Sequence, residues 1–246
     1  MQQNSAGVRL FHFDEERFGM RSARAYIDSP EALYESETFC RTHSVRFLVA
    51  RVPADWIRII QQMEQAGFLL MDTLVYYNRD LTRSPLPSDE CEIPIRLIRK
   101  GEEETIGAIA KQTYKRYFGH YHADPRLDSA KCDEGYVDWA YRSCIDKNMA
   151  DEVLVAEQDG KIVGFVTLRA NDDIEGEVVV GGVIPEAREK GIYRSFILNA
   201  MKRFQKKGLK QTLVSTQIIN VAVQKVWARL GFEFLTSFYT FHKWYD

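Results

Sequence analysis

The sequence predicts an α/β protein, with a larger C-terminal domain behind a smaller N-terminal α/β domain. Strand-like and helix-like patterns alternate along most of its 246 residues. A proline-rich, polar stretch from Arg79 to Pro94 separates two such series. In the second series, Val178 to Phe204 reads as a buried strand, a sharp basic turn and an amphipathic helix.

Taken in order, Val8 to Phe13 alternates like a strand, and Arg21 to Ile27 suits its partner. Ser29-Pro30 is a helix-start signal, followed by Leu33, Tyr34 and Phe39 on one modest helix. Phe47 to Val52 reads as a buried strand. Trp56, Ile59, Ile60 and Met63 repeat at helical spacing, and Gly67 closes that helix. Phe68 to Asn78 is a further strand. This gives domains at residues 1–80 and 95–246, joined by a linker at 81–94. Ile95 to Ile98 opens the second domain, and Ile106, Ile109, Ala110, Thr113 and Tyr114 mark a helix. Phe118 to Ala130 is a polar, aromatic loop before a helix carrying Tyr136, Trp139, Ala140 and Tyr141. Val153–Ala156 and Ile162–Leu168 flank Asp159-Gly160, a hairpin signal. Gln211–Thr216, Val221–Leu230 and Phe232–Trp244 read as strand, helix and long final strand. A faint repeat links Leu48-Val49-Ala50, a helix and Gly67-Phe68 to Leu213-Val214-Ser215, a helix and Gly231-Phe232. The N-terminal domain then reads either as a degenerate half-copy of the C-terminal one or as a common way to end a helix.

The net charge of −2 makes no case for nucleic-acid binding. Cys40, Cys91, Cys132 and Cys144 form no C-x-x-C pair, which argues against a zinc knuckle or a disulfide framework. A reducing compartment is the simpler reading. Met1 to Arg9 lacks the apolar stretch of a secretory signal. No apolar run approaches the roughly 20 residues of a membrane span. A cytoplasmic location is expected, with no membrane partner.

The strand ending Val178-Val179-Val180-Gly181-Gly182-Val183-Ile184 is β-branched, as a doubly covered strand requires, and Pro185 stops its ladder. Arg188, Glu189, Lys190 and Gly191 fill the turn. Ile192, Tyr193 and Arg194 open a helix whose apolar face carries Phe196, Ile197, Ala200, Met201 and Phe204. Such a helix start presents unpaired N–H groups at the positive end of the dipole, a seat for a phosphate or diphosphate. A plain strand–helix turn with two solvated basic residues has the same look.

Val183, Pro185, Arg188 and Gly191 resemble the signature V-x-P-x-x-R/Q-x-x-G-x-G/A of the GCN5-related N-acetyltransferases (GNAT), although Tyr193 stands where Gly or Ala is usual. Asn220, Gly231 and Phe232 are similar to the family's second signature, N-x-x-A-x-x-x-Y-x-x-x-G-F, with Val223 for Ala and Trp227 for Tyr. The resemblance covers about Ile95 to Asp246. It implies a mixed, mostly antiparallel central sheet flanked by helices. It also implies acetyl-CoA as co-substrate, held by the turn from Val183 and Ile184 through Arg194 and by Asn220 and Trp227. Gly181 and Gly182 suit a bulged strand with backbone exposed to a ligand. A backbone N–H near Val183 is placed to polarise the thioester carbonyl. The family tyrosine at position 227 is thought to protonate the departing thiolate. An indole cannot supply that proton near neutral pH, so Tyr193, Tyr239 or water must serve.

The N-terminal half, the segment Ile95 to Ser143 and Gly164 to Arg169 look like the two-domain TDP-fucosamine acetyltransferases. This resemblance implies a nucleotide-linked amino-deoxy sugar as acceptor. His120, Tyr121, His122, Arg126, Tyr136 and Gln217 are its candidate contacts. His120-Tyr121-His122 also suits a plain surface loop, and no spacing fixes a third metal ligand, so no metal is expected. Two rivals are a GNAT enzyme acting on a free amine, amino acid or peptide N-terminus, and a non-catalytic CoA-binding regulatory protein. A final edge strand could also pair two subunits.

Overall fold

The computed structural model describes residues 7–115 and 117–246. The start of the chain, read above as free of a secretory signal, lies mostly outside the described residues. The chain divides into two compact units that interleave along the sequence. Unit 1 takes the chain up to Val75, Phe118–Cys132 and Thr236–Asp246, and unit 2 takes Tyr76–Tyr117 and Asp133–Leu235. The contiguous segments 1–80 and 95–246 expected above are therefore not the units of packing.

Unit 1 begins with strand β1 (Gly7–Leu10), helix α1 (His12–Phe18) and strand β2 (Ser22–Tyr26). The sequence reading ran the first strand to Phe13 and missed α1, whose plainest signal is Gly19, left-handed at φ 70° as its C-cap. Helix α2 (Pro30–Thr42), strand β3 (Phe47–Pro53), helix α3 (Ile57–Gln65) and strand β4 (Leu69–Asp80) follow as read, within a few residues. β1 and β2 are antiparallel, β2 and β3 parallel. The end of the last strand of the chain, β10 (Glu233–Trp244), pairs antiparallel with β3, from Phe238↔Pro53 to Trp244↔Phe47.

β3 is covered on both faces. Leu48, Ala50 and Val52 join α2, α3 and Phe241 in one core. Phe47 and Val49 point the other way, as strand periodicity demands, and meet Phe18, Tyr121 and Leu127. That second face is why Phe118–Cys132 packs in unit 1: α1 and this segment cover it.

A buried polar network accompanies the second face. Asp14, fully buried, accepts from Tyr121 Oη at 2.6 Å and from Arg24 Nε at 3.3 Å, and Arg24 also reaches the Tyr121 hydroxyl. Asp124 Oδ2 lies 2.8 Å from His242 Nδ1, and His242 Nε2 lies 2.8 Å from His120 Nδ1. A carboxylate only accepts, so His242 donates from Nδ1, accepts at Nε2, and His120 donates to it. Trp244 Nε1 and the Arg126 N–H complete Asp124 at 2.9 and 3.0 Å.

Unit 2 carries strand β5 (Ile95–Leu97), helices α4 (Glu103–Tyr114) and α5 (Ser129–Ile145), and strands β6 (Glu152–Gln158), β7 (Lys161–Ala170) and β8 (Glu175–Val183). Helix α6 (Ile192–Lys206), strand β9 (Gln211–Gln217) and helix α7 (Val221–Arg229) complete it. β5 to β8 are successively antiparallel, and β8 and β9 are parallel. Asp159 and Gly160, at φ 52° and 72°, make the β6–β7 hairpin turn that their types favour. Val153, Val155, Phe165 and Val180 face α4 and α5, while Leu154, Val166, Leu168 and Val178 face α6 and Trp227. Burial on both faces explains the continuous apolar runs of these strands.

The stretch 81–94 is not a solvated linker. It belongs to unit 2, with Leu81 buried and Leu86, Cys91 and Ile93 packed on the α6 core. The faint repeat has a topological counterpart. Apart from α1, which is inserted between β1 and β2, β1-β2-α2-β3-α3-β4 and β7-β8-α6-β9-α7-β10 run in the same order, each with an antiparallel pair followed by a parallel crossover. Gly67 and Gly231, at φ 80° and 78°, lie between the second helix and the last strand of each.

The two histidines of unit 1 predict acid sensitivity. Burial, then neighbouring His242, Arg24, Arg51 and His122, hold His120 well below the usual 6.5. Burial also lowers His242, against the pull of Asp124. Asp124 is lowered too, because bonds from His242, Arg126 and Trp244 outweigh its burial. A histidine kept neutral in the fold contributes fully above its unfolded value and loses ground as pH falls below it. Denaturant midpoints should therefore drop between about pH 6.5 and about pH 5, by up to about 1.4 kcal/mol per pH unit for each proton taken up. His242→Gln should start lower and show a shallower slope; an equally steep slope would refute the assignment.

Candidate functional site

β8 and β9 start side by side and then part. Their registered pairs run from Glu175↔Gln211 to Val178↔Val214, while β8 continues to Val183 and β9 to Gln217. The cause is visible on the other edge of β8. Between the pairs Leu168↔Val178 and Val166↔Gly181, β8 spends one residue more than β7. Such a bulge bends its strand away from the regular ladder. The Val180 N–H in the bulge donates to Thr167 Oγ1 at 3.2 Å, so it is not orphaned. Ile184 N–H donates to Val163 O on β7 at 3.0 Å. Neighbouring amides on a strand face opposite edges, so the Val183 N–H faces the side that β9 has left.

The bulge expected at Gly181 and Gly182 is present, and both glycines also answer to close neighbours. A Cβ on Gly181 would lie 2.4 Å from Val166 Cγ1, and one on Gly182 would lie 2.2 Å from Thr113 Cγ2. The Tyr114 hydroxyl donates to Gly181 O at 2.8 Å. β7 and α4 therefore press directly on the bulged strand. Thr113 and Tyr114 were read from sequence only as apolar-face positions of a helix, since nothing in their spacing marks the contact.

Past Val183 the chain makes one 3₁₀ turn, Pro185–Ala187, and enters α6 through Glu189 and Gly191, both left-handed at φ 65° and 77°. Gly191 is the N-cap of α6, with no side-chain cap and no acidic residue in the first turn. The first amides of α6 are thus the unpaired donors of a helix start, at its positive end. The counterpart in the repeat is different. Ser29 Oγ caps α2 by accepting from Ala32 N at 3.0 Å, and Glu31 stands in that first turn.

Three cations surround the open start. Arg188 Nε donates to Val183 O at 3.2 Å, Lys190 Nζ to Gln158 Oε1 at 3.1 Å, and Arg194 Nη2 to Ser88 O at 3.0 Å. Each of these partners is neutral, so none cancels the charge. The donor set, with Val183 at the strand end and Ile192 and Tyr193 at the helix start, fits a diphosphate-bearing cofactor; the Ile184 N–H, also expected to contribute, is already taken by Val163 O.

Beyond the turn, Trp227 is 1% exposed and its Nε1 donates to the Tyr193 hydroxyl at 3.1 Å. Tyr77 packs against the indole at 5.6 Å between centroids. Burial pushes the Tyr193 phenol well above its ordinary value, and the indole bond only partly opposes this. Asn220 precedes α7, and its Nδ2 donates to Thr216 Oγ1 at 3.0 Å. Gln217 is buried at the end of β9.

The remaining sequence candidates are divided between the two units. Tyr136 stacks on Tyr114 in unit 2, with centroids 4.6 Å apart. Tyr239 lies in unit 1, opposite Val52 on β3 and against that unit's core. His120 and Tyr121 are buried in the unit 1 network, and His122 Nδ1 accepts from Gly119 N at 3.2 Å. Arg126, a candidate acceptor contact, pairs with Asp246 at 2.7 Å and lies 4.1 Å over the Trp244 ring. Among the described residues no three His, Cys, Asp or Glu side chains gather in a metal-holding group, all four cysteines are free, and no helix is long and apolar enough to cross a membrane.

Residues 110–232, half of the chain, match the acetyltransferase (GNAT) family. The chain belongs to that family. The matched residues run from within α4 through α7, include the bulge and the open turn, and also take in Phe118–Cys132 of unit 1. Spore coat polysaccharide biosynthesis protein SpsD of Bacillus subtilis is 24% identical over 201 residues, 80% of this chain and 66% of SpsD. Mycothiol acetyltransferase of Saccharopolyspora erythraea is 26% identical over 162 residues, 63% of this chain and 50% of that enzyme. The chain thus spans between half and two thirds of these relatives. In fold, a GCN5-related N-acetyltransferase of Sphaerobacter thermophilus matches 96% of this chain and 76% of its own at a TM-score of 0.67 and 16% identity. A tandem GNAT protein from the clavulanic acid biosynthesis pathway matches 92% of this chain and 76% of its own at 0.61 and 15% identity. The GNAT fold implies acetyl-CoA as co-substrate.

If Gly182 is small because α4 presses on it, Gly182→Ala overpacks that contact. We expect a loss of about 1–3 kcal/mol in denaturant stability. Adding Thr113→Ala should return part of it, and strictly additive losses in the double variant would disprove the contact.

Proposed function

We propose that this GNAT protein is an acetyl-CoA-dependent N-acetyltransferase whose acceptor is the primary amine of a nucleotide-linked amino-deoxy sugar. The observation that carries the first part is the parting of β8 and β9 beyond Val178 and Val214, directly before an uncapped, cation-flanked helix start. The first α6 amides, with Arg188, Lys190 and Arg194, hold the diphosphate. The parted edge of β8 takes the pantetheine arm in place of a strand, with Asn220 at its far side. Bound there, acetyl-CoA supplies an activated acyl group.

The chain's own part is placement and proton handling. The Val183 N–H donates to the thioester oxygen as charge builds on it. The amine nitrogen attacks the carbonyl carbon, the C–N bond forms, the C–S bond breaks and its electron pair goes to sulfur. The nitrogen's extra proton leaves to water. Sulfur takes a proton from the Tyr193 hydroxyl, which water then reprotonates. Trp227, an indole that only donates, occupies the Tyr193 oxygen from one side and leaves its O–H for this transfer.

Support for the sugar acceptor is of a different kind. SpsD is named for polysaccharide biosynthesis. A glucosamine N-acetyltransferase region of a fungal multidomain β-N-acetylglucosaminidase matches 91% of this chain in fold, with a TM-score of 0.62 and 13% identity. The N-terminal resemblance noted above points the same way. Thiol release measured with acetyl-CoA and a panel of TDP-amino sugars, free amino sugars, amino acids and peptides tests the reading. Turnover confined to free amines or peptides would replace the sugar nucleotide; tight binding with no turnover would reduce the protein to a CoA binder.

Gly191→Glu places an anion and a strained left-handed side chain in the turn, and should abolish coenzyme A binding in calorimetry; retained affinity would show the wrong turn was chosen. Tyr193→Phe should lower kcat by about 100-fold or more, the usual range for a lost proton donor. Trp227→Phe should keep much of the activity. A deficit larger in Trp227→Phe than in Tyr193→Phe would reverse the assignment of the donor.

A further inference from the structure

The stretch 81–94 has no catalytic residue and was expected to be a spacer, yet it is tied to the one helix start that the proposed function uses. Asp89 Oδ2 accepts from Ser195 Oγ at 2.6 Å and from Asn199 Nδ2 at 3.2 Å. Ser195 and Asn199 stand one turn apart on α6, and Ser195 is 1% exposed. Next to Asp89, the Ser88 carbonyl accepts from Arg194 at 3.0 Å. The Cys91 thiol lies 3.5 Å from Lys190 O, and its Cβ lies 4.0 Å from where a Gly191 Cβ would be. The Cys91 N–H in turn donates to Asp89 Oδ1 at 3.3 Å, so Asp89 shapes the strap as well as gripping the helix. Leu86, Cys91 and Ile93 press the strap onto the core beneath.

The turn has reason to need such a hold. Glu189, which is not glycine, is left-handed at φ 65°. A strained residue of this kind persists only where its surroundings over-determine it. Gly191 contributes conformational freedom rather than stiffness. No side chain caps α6. A turn that is strained, glycine-containing and uncapped frays unless something outside it fixes the helix start.

We infer that Asp89 is a positioning residue for the anion-binding turn, holding the first two turns of α6 through Ser195 and Asn199 so that their amides keep one direction. This rests on the acetyl-CoA reading above. Asp89 does not meet the cofactor; it acts through α6. Its effect is therefore on cofactor affinity, and the chemical step at saturating acetyl-CoA is spared.

The test compares wild type with Asp89→Ala, Asp89→Asn and Ser195→Ala, the last removing the same bond from the helix side. Coenzyme A affinity is measured by calorimetry, backbone amide exchange is followed at residues 189–196 without ligand, and thermal midpoints are recorded in parallel. We expect Asp89→Ala and Ser195→Ala to weaken coenzyme A by about tenfold, as loss of a hydrogen bond to a charged group does. Exchange should rise locally at 189–196, and KM for acetyl-CoA should rise with kcat nearly unchanged. Asp89→Asn, which keeps one acceptor oxygen, should recover part of the affinity. Lower thermal midpoints with unchanged affinity and unchanged local exchange would overturn the inference. Should wild type itself fail to bind coenzyme A, the acetyltransferase reading falls, while the exchange arm still decides whether Asp89 holds the turn.

Discussion

The arrangement of unit 2 depends on one strand being unable to satisfy two neighbours at once. β7 and β8 are locked by an antiparallel ladder and by glycines that admit Val166 and Thr113 to contact distance. The extra residue in β8 then turns its far end away from β9. A backbone amide that would have joined a ladder is left facing an opening. An unpaired strand edge is costly if buried and dry, so the site is stable only with a polar chain or water along it. The same geometry that spoils the sheet leaves the far end of β8 out of register with β9.

The two halves of the repeat show how little separates a structural helix start from a binding one. Both halves run strand, helix, parallel strand. In the first, a serine hydroxyl satisfies the helix start and an acidic residue neutralises the dipole. In the second, both are replaced by glycine and flanking cations. A cap contributes about 1 kcal/mol. Giving it up leaves α6 less well anchored, and the strap carrying Asp89 restores that anchoring from outside the turn.

Tyr193 and Trp227 are best understood as a pair. Taken singly, each departs from the family signatures. In the structure they touch, and the phenol stands beside the indole that replaces the family tyrosine. A hydroxyl is thus present next to α7 although its Cα belongs to α6. Burial keeps that hydroxyl protonated across ordinary pH. The pairing also explains why Trp227 is buried: it fills core volume and orients a neighbour.

Much of this was legible from residue order alone. Alternating periodicity with Gly and Pro punctuation located nearly every strand and helix, because local backbone preferences and one-sided burial leave a periodic trace. Val183, Pro185, Arg188 and Gly191 marked the turn through their resemblance to a family signature. The family match and the fold agree with the reading of fold class. Tertiary structure decided what has no periodic trace. Phe118–Cys132 packs with unit 1 because the odd face of β3 needs cover, and His120 and Tyr121 go with it into a buried polar network. The stretch 81–94 became a strap because a few apolar side chains and one carboxylate found partners on α6. The Tyr193–Trp227 contact joins residues 34 positions apart. Such contacts depend on distances between elements, and local sequence preferences carry no information about those distances.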